Sequence, residues 1–302
     1  MQNSIEDNHV VDSRHVRAAF NLAAKNYDDF SLLQQTITSR LIESFEHIKV
    51  NPASVLDLGS GTGFGSNKLK QRFKKAQIYQ TDLSTEMLKK SRKQASRFFS
   101  KNHFLCADAN QIPFPDNSFD LVFSSLMLQW CNDPDAVFAE IKRVLKPGGV
   151  FLFSSFGPDT LKELRASWQQ VDDEVHVNAF TDMHDIGDSL IRNGMDAPVL
   201  SIEHIVLTYD ECKQLMYELK NIGAHNVNFG RRKTLTGKQR LQKVIKHYES
   251  YRQNNKLPAT YEVIYGHAWK PETDKKNNGG ANTQAVSLEN LKQDLANRRS
   301  KK

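Results

Sequence analysis

The pattern of apolar and polar residues predicts strands and helices in alternation across the first half of this chain. The run Val55–Leu58 is apolar except for Asp57, as is typical of a strand buried on both faces. Leu69 and Phe73 then lie four residues apart among polar residues, which indicates a helix. Further strands are predicted at 76–80, 103–107, 121–130 and 150–155, with helices from Ser84 and over 133–145. This succession predicts an α/β fold around a largely parallel sheet.

A glycine-rich turn follows the first predicted strand, in the sequence VLDLGSGTGFG at 55–65. Glycine allows backbone conformations and a close approach to a ligand that other residues do not. The spacing differs from the dinucleotide-binding fingerprint because, counted from Gly59, Phe64 stands in place of the third glycine. No lysine completes a phosphate-binding P-loop either. Since ligands bind at the carboxyl ends of such strands, we expect this turn to contact a ligand of another class.

A carboxylate ends the second predicted strand. Asp82 lies 25 residues after Asp57, close to the spacing of about 20 at which an acidic residue meets a ribose. At the carboxyl end of a parallel strand it is placed to accept hydrogen bonds from ribose hydroxyl groups. The turn and this carboxylate therefore predict a nucleoside-containing ligand.

Together, DLGSGTG at 57–63, Asp82, Asp108 after the third strand and LKPGG at 145–149 resemble the class I S-adenosylmethionine (SAM) methyltransferases. The resemblance implies a Rossmann-like, seven-stranded α/β sheet whose last strand is antiparallel. It implies SAM as the cofactor, with the glycine turn under its methionine part, Asp57 near its amino group and Asp108 on its adenine. The implied cofactor contacts are Asp57, Gly59, Gly61, Gly63, Asp82, Leu83, Asp108, Ala109 and Ser124.

The regions outside the predicted sheet suggest a lid and two insertions. The expected divisions are 1–11 disordered, 12–48 a helical lid, 49–270 the SAM-binding domain and 271–302 a polar, disordered tail. Helical insertions at 159–178 and 210–254 are expected to lie over the active site. Within the lid, Tyr27 has two interpretations: it touches the methyl group or substrate, or it packs its helix against the core.

The second half of the chain carries a closer resemblance. The segments concerned are SFGPDTLKELRASW at 155–168, HVNAFTDMHDIGDSLIRNG at 176–194, LKNIGAHNVNFGRRKTLTG at 219–237 and LPATYEVIYGHAWK at 257–270. They resemble the malonyl-[acyl-carrier-protein] O-methyltransferases of biotin synthesis, over roughly residues 12–270. The resemblance implies methylation of the free carboxylate of a malonyl thioester on acyl carrier protein. The ester hides a charge, so that fatty-acid enzymes can extend the chain toward pimeloyl.

This chemistry needs an oriented carboxylate rather than a base, because a malonyl carboxylate is already ionised at pH 7. Catalysis would consist of alignment in a site that excludes water. A bidentate arginine suits a carboxylate, which makes Arg231 and Arg165 the candidates, each with a structural or surface ion pair as the alternative. Weaker candidates are His176, His184 and His225.

The charge distribution points to an acidic partner. The chain has a formal net charge of +6, and 220–246 carries eight lysine and arginine residues without one acid. This run is either a solvated helix face or a docking patch for an acidic protein such as acyl carrier protein. It lacks the interleaved aromatic residues expected of a nucleic-acid site.

The cysteines, the apolar runs and the N-terminus exclude some classes of protein but do not decide the function. Three widely spaced cysteines form neither a metal pattern nor a disulfide framework, and no apolar run is long enough for a membrane helix. The N-terminus resembles neither a signal nor a transit peptide, so a cytoplasmic protein is expected. Three alternatives stay open: a respiratory complex I assembly factor that hydroxylates protein arginine, a catalytically silent SAM-fold module and a generic small-molecule methyltransferase.

Overall fold

The fold is built on one seven-stranded sheet in a computed structural model that describes residues 10–95, 102–224, 226–228 and 237–272. The strands are β1 (Ser54–Leu58), β2 (Gln77–Asp82), β3 (Asn102–Cys106), β4 (Phe119–Ser125), β5 (Leu145–Phe156), β6 (Asp196–Tyr209) and β7 (Leu257–Trp269). Their order is β3-β2-β1-β4-β5-β7-β6, with β7 antiparallel to both neighbours and the other pairs parallel. This arrangement confirms the predicted class I methyltransferase sheet.

Helices cover both faces of the sheet and its ligand-binding edge. They are α1 (Ser13–Ala23), α2 (Tyr27–Phe30), α3 (Leu32–Glu43), α4 (Phe64–Arg72), α5 (Thr85–Gln94), α6 (Pro134–Val144), α7 (Lys162–Gln169), α8 (Met183–Arg192), α9 (Cys212–Asn221) and α10 (Lys238–Tyr248). Several begin where the sequence provides a capping side chain: Ser84 accepts a hydrogen bond from the Met87 amide, and Asp133 from the Ala136 amide.

The apolar core lies on the two faces of the sheet. On one face, Val137 and Phe138 of α6 and Leu190 of α8 pack against the strands. On the other face, Leu41 of α3 and Leu69 of α4 do the same. Burial on both faces explains why the central strands are continuously apolar.

Two predicted elements have different bounds in the structure. The apolar run 121–130 was expected to be one strand, but β4 ends at Ser125 and a short 3₁₀ turn follows at Leu128–Trp130. The segment LKPGG was expected to separate α6 from β5, whereas β5 already begins at Leu145. The register shifts between Phe119 and Leu121, so that an irregularity accommodates the extra residues of this segment.

The second insertion is not one long helix in the described residues. It contains α9 and α10, which are separate helices, and a 3₁₀ turn at Glu249–Tyr251. Within the described part of the chain, no helix has the length and apolar character needed to span a bilayer.

Candidate active site

A cavity of about 430 Å³ lies at the carboxyl ends of β1, β2 and β4. Its volume is in the range of small-molecule sites. One half is lined by the glycine turn and the strand ends, including Gly59, Gly61, Asp82, Leu83, Asp108 and Ala109. The other half is lined mainly by the insertions and β7, including Phe156, Leu161, Val177, Phe180, Leu219 and Tyr261. The cavity therefore joins the predicted cofactor residues to the predicted substrate side.

The glycine turn owes its shape to three left-handed residues. Gly59, Gly61 and Gly63 have φ angles of 79°, 54° and 87°. A Cβ atom on Gly59 would lie 2.5 Å from Cγ of Met127, whereas one on Gly61 would meet no atom within 4 Å. Gly61 thus faces open space in the cavity, as a ligand-binding turn requires. Gly63 begins α4, faces Ser91, and does not line the cavity.

Asp82 connects the glycine turn to the start of α5. Its Oδ2 accepts a hydrogen bond from the Gly61 amide at 2.8 Å, and its Oδ1 accepts one from the Ser84 amide at 2.7 Å. Burial raises the pKa of Asp82 to about 6, against the opposing effect of these two bonds. Each carboxylate oxygen still has acceptor capacity for a ligand hydroxyl group.

Asp57 is placed behind the glycine turn and not in the cavity wall. It is only 2% exposed, and its Oδ2 accepts a hydrogen bond from Oγ of Ser66 at the start of α4. Burial, and secondarily the charge of Asp82, raises the pKa of Asp57 to about 7. The structure therefore shows a carboxylate that shapes the turn, and does not bring Asp57 into the cavity lining.

Asp108, Ala109 and Leu83 line the wall beyond the ends of β2 and β3. Oδ1 of Asp108 accepts hydrogen bonds from the backbone and side-chain nitrogens of Asn110, at 2.9 and 2.7 Å. Its exposed carboxylate keeps Oδ2 available for a ligand donor. Cys131 lines the same wall, and burial raises the pKa of its thiol to about 12, so this thiol is not a nucleophile at neutral pH.

Ser124 is not brought to the cavity. It is fully buried within β4, and its hydroxyl group donates to the Leu58 carbonyl oxygen at 2.8 Å. The next residue, Ser125, borders the cavity. Leu126 then adopts a left-handed conformation, with φ 55°, which turns the chain at the strand end.

Tyr27 borders the cavity and also packs against Ala24 and Met87. Burial, followed by the charges of Asp82 and Asp28, raises the pKa of Tyr27 above its ordinary value. Its hydroxyl group makes no hydrogen bond to any described residue. Both sequence interpretations, contact with a ligand and packing of the helix, are therefore compatible with its position.

The segment before α1 is held across the rim of the cavity. The Val11 amide donates to Oδ1 of Asn132 at 2.7 Å, and Nδ2 of Asn132 donates to the Val11 carbonyl oxygen at 2.8 Å. The Asp12 amide donates to the Val227 carbonyl oxygen at 3.1 Å. These bonds connect the N-terminal segment to the loop after β4 and to the second insertion.

Of the two predicted arginine ligands, Arg165 lies among the described residues and does not line the cavity. Arg165 donates to the carbonyl oxygens of Pro158, at 2.8 Å, and Thr160, at 3.0 Å. Of these two partners Thr160 borders the cavity, so the position of Arg165 indicates support of the cavity wall. Burial lowers the pKa of its guanidinium group. Arg231 lies outside the described residues and stays a prediction.

The candidate histidines have different surroundings. His176 borders the cavity, with its ring stacked on Trp168 at 3.6 Å between centroids and its Nε2 2.6 Å from Oδ1 of Asp172. His184 is exposed beside Asp182 at the start of α8, away from the cavity lining. His225 lies outside the described residues.

Asp172, Glu174 and His176 have ligand atoms within 4.8 Å of one another, a spacing that a metal ion can bridge. A cation is already present, because Nη1 of Arg240 lies 3.4 Å from Asp172 and 3.9 Å from Glu174. This guanidinium offsets part of the negative charge of the two carboxylates. The cluster therefore carries no metal assignment.

Comparisons with known proteins place the chain in a family. Residues 56–153 match a methyltransferase-domain family model. A malonyl-[acyl-carrier protein] O-methyltransferase of Methylovorus sp. is 48% identical over 271 residues, covering 88% of this chain and 92% of that protein. A protein of the same name from Nitrosospira multiformis is 46% identical, covering 87% and 91%. The chain belongs to the malonyl-[acyl-carrier protein] O-methyltransferase family.

The fold comparison agrees with this family membership. The crystal structure of YcgJ from Bacillus subtilis superposes with a TM-score of 0.57 at 19% identity, covering 78% of this chain and 99% of that one. At this identity the likeness concerns the fold alone.

Sequence reasoning missed several residues of the cavity wall. Gln34 and Gln129 border the cavity although no motif distinguishes them. Thr160 and Asn178 also border it, and they lie in segments that carry the family resemblance without being singled out there. Gln129 follows the left-handed turn at the end of β4, and Gln34 lies in α3, so only the tertiary fold brings them to one cavity. The position of Gln129 shortly after the end of β4 was a weak sequence signal for a site residue. Gln34 had no such signal.

Proposed function

We propose that this protein transfers the methyl group of SAM to the free carboxylate of a malonyl group carried on acyl carrier protein. The observation that carries the proposal is family membership at 48% identity over 88% of the chain, combined with a cavity that joins both predicted half-sites. The product would be the malonyl methyl ester that begins pimeloyl and biotin synthesis, which also implies a cytoplasmic enzyme.

The first half of the cavity fits SAM. Asp82 would accept hydrogen bonds from the ribose, and Asp108 with Ala109 and Leu83 would hold the adenine. The methionine part would lie over Gly61, where a side chain would otherwise occupy open space. Asp57 and Gly63 would act indirectly, by fixing the start of α4 and the shape of the turn.

The chemistry needs no proton transfer by the protein. SAM, when bound, would supply an electrophilic methyl group on a sulfonium. The malonyl carboxylate would form the new C–O bond as the C–S bond breaks, leaving an ester and S-adenosylhomocysteine. The protein's contribution is alignment and the exclusion of water. The apolar side chains of Phe20, Met127, Phe156 and Tyr261 serve the second purpose.

The lid and the insertions would form the substrate side. We propose that residues 12–48 cover the cofactor and that the insertions at 159–178 and 210–254 receive the malonyl group. The bonds of Val11 and Asp12 to Asn132 and Val227 support this division, because they close the segment over the rim. Tyr27 and the undescribed Arg231 remain candidates for contact with the reacting groups.

A basic helix offers a docking surface for the carrier. Within α10, Val244 and Tyr248 are buried, whereas Lys238, Lys243 and Lys246 are exposed, and the helix contains no acidic residue. It packs against α7, which contributes Leu164 to the cavity wall. An acidic acyl carrier protein bound there would be held beside the cavity that receives its malonyl group.

The test is methyl transfer from labelled SAM to purified malonyl-acyl carrier protein, with acetyl-acyl carrier protein and malonyl-coenzyme A in parallel. Label on the malonyl carrier and none on the acetyl carrier would support carboxylate methylation. A comparison of kcat/KM for the two malonyl substrates measures the contribution of the carrier. SAM binding without transfer to either malonyl substrate would contradict the proposal.

A further inference from the structure

The substrate half of the cavity holds no fixed cation among the described residues. No lysine or arginine side chain lines it. His176, the one histidine of the described lining, lies 2.6 Å from Asp172, whose carboxylate is also 3.4 Å from Arg240. Apart from His176, the donors that the described lining offers to an anionic substrate are therefore uncharged side chains.

Two of these neutral groups are distinctive because their amides are unpaired. Gln34 of α3 and Gln129 of the 3₁₀ turn after β4 both border the cavity. The amide oxygen of each is buried and makes no hydrogen bond in the described structure. Neither amide nitrogen bonds to a described residue, and neither nitrogen is among the buried unpaired atoms. The nitrogen of each amide is thus not occupied by another described residue, and each glutamine borders the cavity in which a ligand would bind.

The backbones that carry the two glutamines are held together. Oγ1 of Thr38, one helical turn after Gln34, lies 2.9 Å from Oγ of Ser125 at the end of β4. Ser125 Oγ in turn lies 3.1 Å from Oγ of Ser154 in β5. Backbone elements that are fixed in this way reduce the conformational entropy that is lost when the amides bind a ligand.

We infer that Gln34 and Gln129 hold the malonyl carboxylate through their amide N–H groups. This inference rests on the proposed function and names the substrate ligands of that site. An amide donates hydrogen bonds without neutralising the carboxylate. During methyl transfer the carboxylate loses its negative charge, so a fixed cation would stabilise the ground state more than the transition state. Neutral donors orient the nucleophile while avoiding that penalty.

The test uses Gln34→Leu and Gln129→Leu, which keep the approximate volume and remove the amide. Because each lost bond is to a charged group, kcat/KM for malonyl-acyl carrier protein is expected to fall about tenfold to a hundredfold. The dissociation constant of SAM, measured by calorimetry, should stay within about twofold of wild type. A weakened SAM complex with unchanged turnover at saturating SAM would overturn the inference and assign the amides to the cofactor.

The substitutions Gln34→Glu and Gln129→Glu add a readout that a structural role would not change. A glutamate repels the malonyl carboxylate when ionised but donates a hydrogen bond when protonated. Activity relative to wild type should therefore recover as the pH falls toward 5. Gln71→Glu, on the exposed side of α4, is the matched charge control and should keep the wild-type pH profile. A constant activity ratio across pH for both cavity variants would contradict the assignment.

Failure of this inference can be separated from failure of the proposed function. If wild-type protein methylates malonyl-acyl carrier protein but all four glutamine variants keep its kcat/KM, only the carboxylate assignment is wrong. If wild-type protein binds SAM and transfers no methyl group to the malonyl carrier, the proposed function is wrong and the inference falls with it. Thermal unfolding of each variant shows whether a lost activity reflects lost folding.

Discussion

Asp82→Asn separates the carboxylate charge at the cofactor site from the shape of that site. Asp82 accepts hydrogen bonds from the Gly61 and Ser84 amides, one on each oxygen. Asparagine has nearly the same shape but only one acceptor oxygen, so its NH₂ group must face one of these two donors. We expect much weaker SAM binding and almost unchanged stability of the ligand-free protein.

The two expectations follow from opposing free energies. The lost hydrogen bond to a carboxylate costs about 1.5–3 kcal/mol. Burial raises the pKa of Asp82 from 3.8 to about 6, so ionising it in the folded protein costs about 3 kcal/mol relative to the unfolded chain. Asparagine avoids that cost, and the two effects nearly cancel above pH 6. The ribose hydroxyl groups lose a charged acceptor without compensation, which predicts a Kd about tenfold to a hundredfold higher.

The same carboxylate predicts a pH dependence. Because its pKa in the ligand-free protein is raised to about 6, Asp82 contributes stability at low pH that is lost as the pH rises from about 4 through 6. Ribose hydroxyl groups bind the ionised form, so SAM affinity should rise with pH, by about tenfold between pH 5 and 8. In Asp82→Asn this rise should be absent.

Calorimetric titration with SAM at pH 5 and pH 8, together with thermal unfolding of the ligand-free proteins, measures all three effects. Asp188→Asn removes an exposed carboxylate of α8 and serves as the charge control. Unchanged SAM affinity in Asp82→Asn would refute the assignment of Asp82 to the ribose. A large drop in the melting temperature would show that the two backbone bonds outweigh the cost of burial.

Three further changes test other parts of the account. Gly61→Ala places a methyl group in the cavity at a residue with a φ angle of 54°. It should lower the free energy of unfolding by about 1–2 kcal/mol in thermal unfolding, and weaken SAM binding at least tenfold in calorimetry. Unchanged SAM affinity would mean that the glycine turn does not belong to the cofactor site. Asn132→Ala removes both hydrogen bonds to Val11 and should speed amide hydrogen exchange of Val11 and Asp12 about tenfold or more. Unchanged exchange would mean that other contacts hold this segment at the rim of the cavity. Lys243→Glu should raise KM for malonyl-acyl carrier protein but not for malonyl-coenzyme A in steady-state assays, and less so at high salt; equal effects on both substrates would place docking elsewhere.

Much of the fold was predictable because local patterns determine it. The buried run at β1, the glycine turn and the carboxylate ending β2 each follow from local residue types, and the structure confirms the sheet that they predict. The end of β4 was not predictable in this way. Leu126 turns the chain with a φ angle of 55°, and nothing in the sequence predicts this left-handed conformation for a leucine within an apolar run.

The candidate site was less predictable because it depends on which way side chains face. Asp57 and Ser124 stand in the expected motifs, yet their side chains bond to Ser66 and Leu58 behind the cavity wall. Residue chemistry alone favoured an arginine for the carboxylate. The described lining includes Gln34 and Gln129, which are distant in sequence and border one cavity because α3 packs against the end of β4.

Intact-mass analysis of acyl carrier protein, after incubation with this enzyme and SAM, tests the proposed methyl transfer most directly. We expect malonyl-acyl carrier protein to gain the mass of one methylene group, located by fragmentation on the free carboxyl end of the acyl group and removed by mild alkaline ester hydrolysis. Acetyl-acyl carrier protein should stay unchanged in the same mixture. An unmodified malonyl carrier in the presence of bound SAM, or a methyl group elsewhere on the carrier, would contradict it.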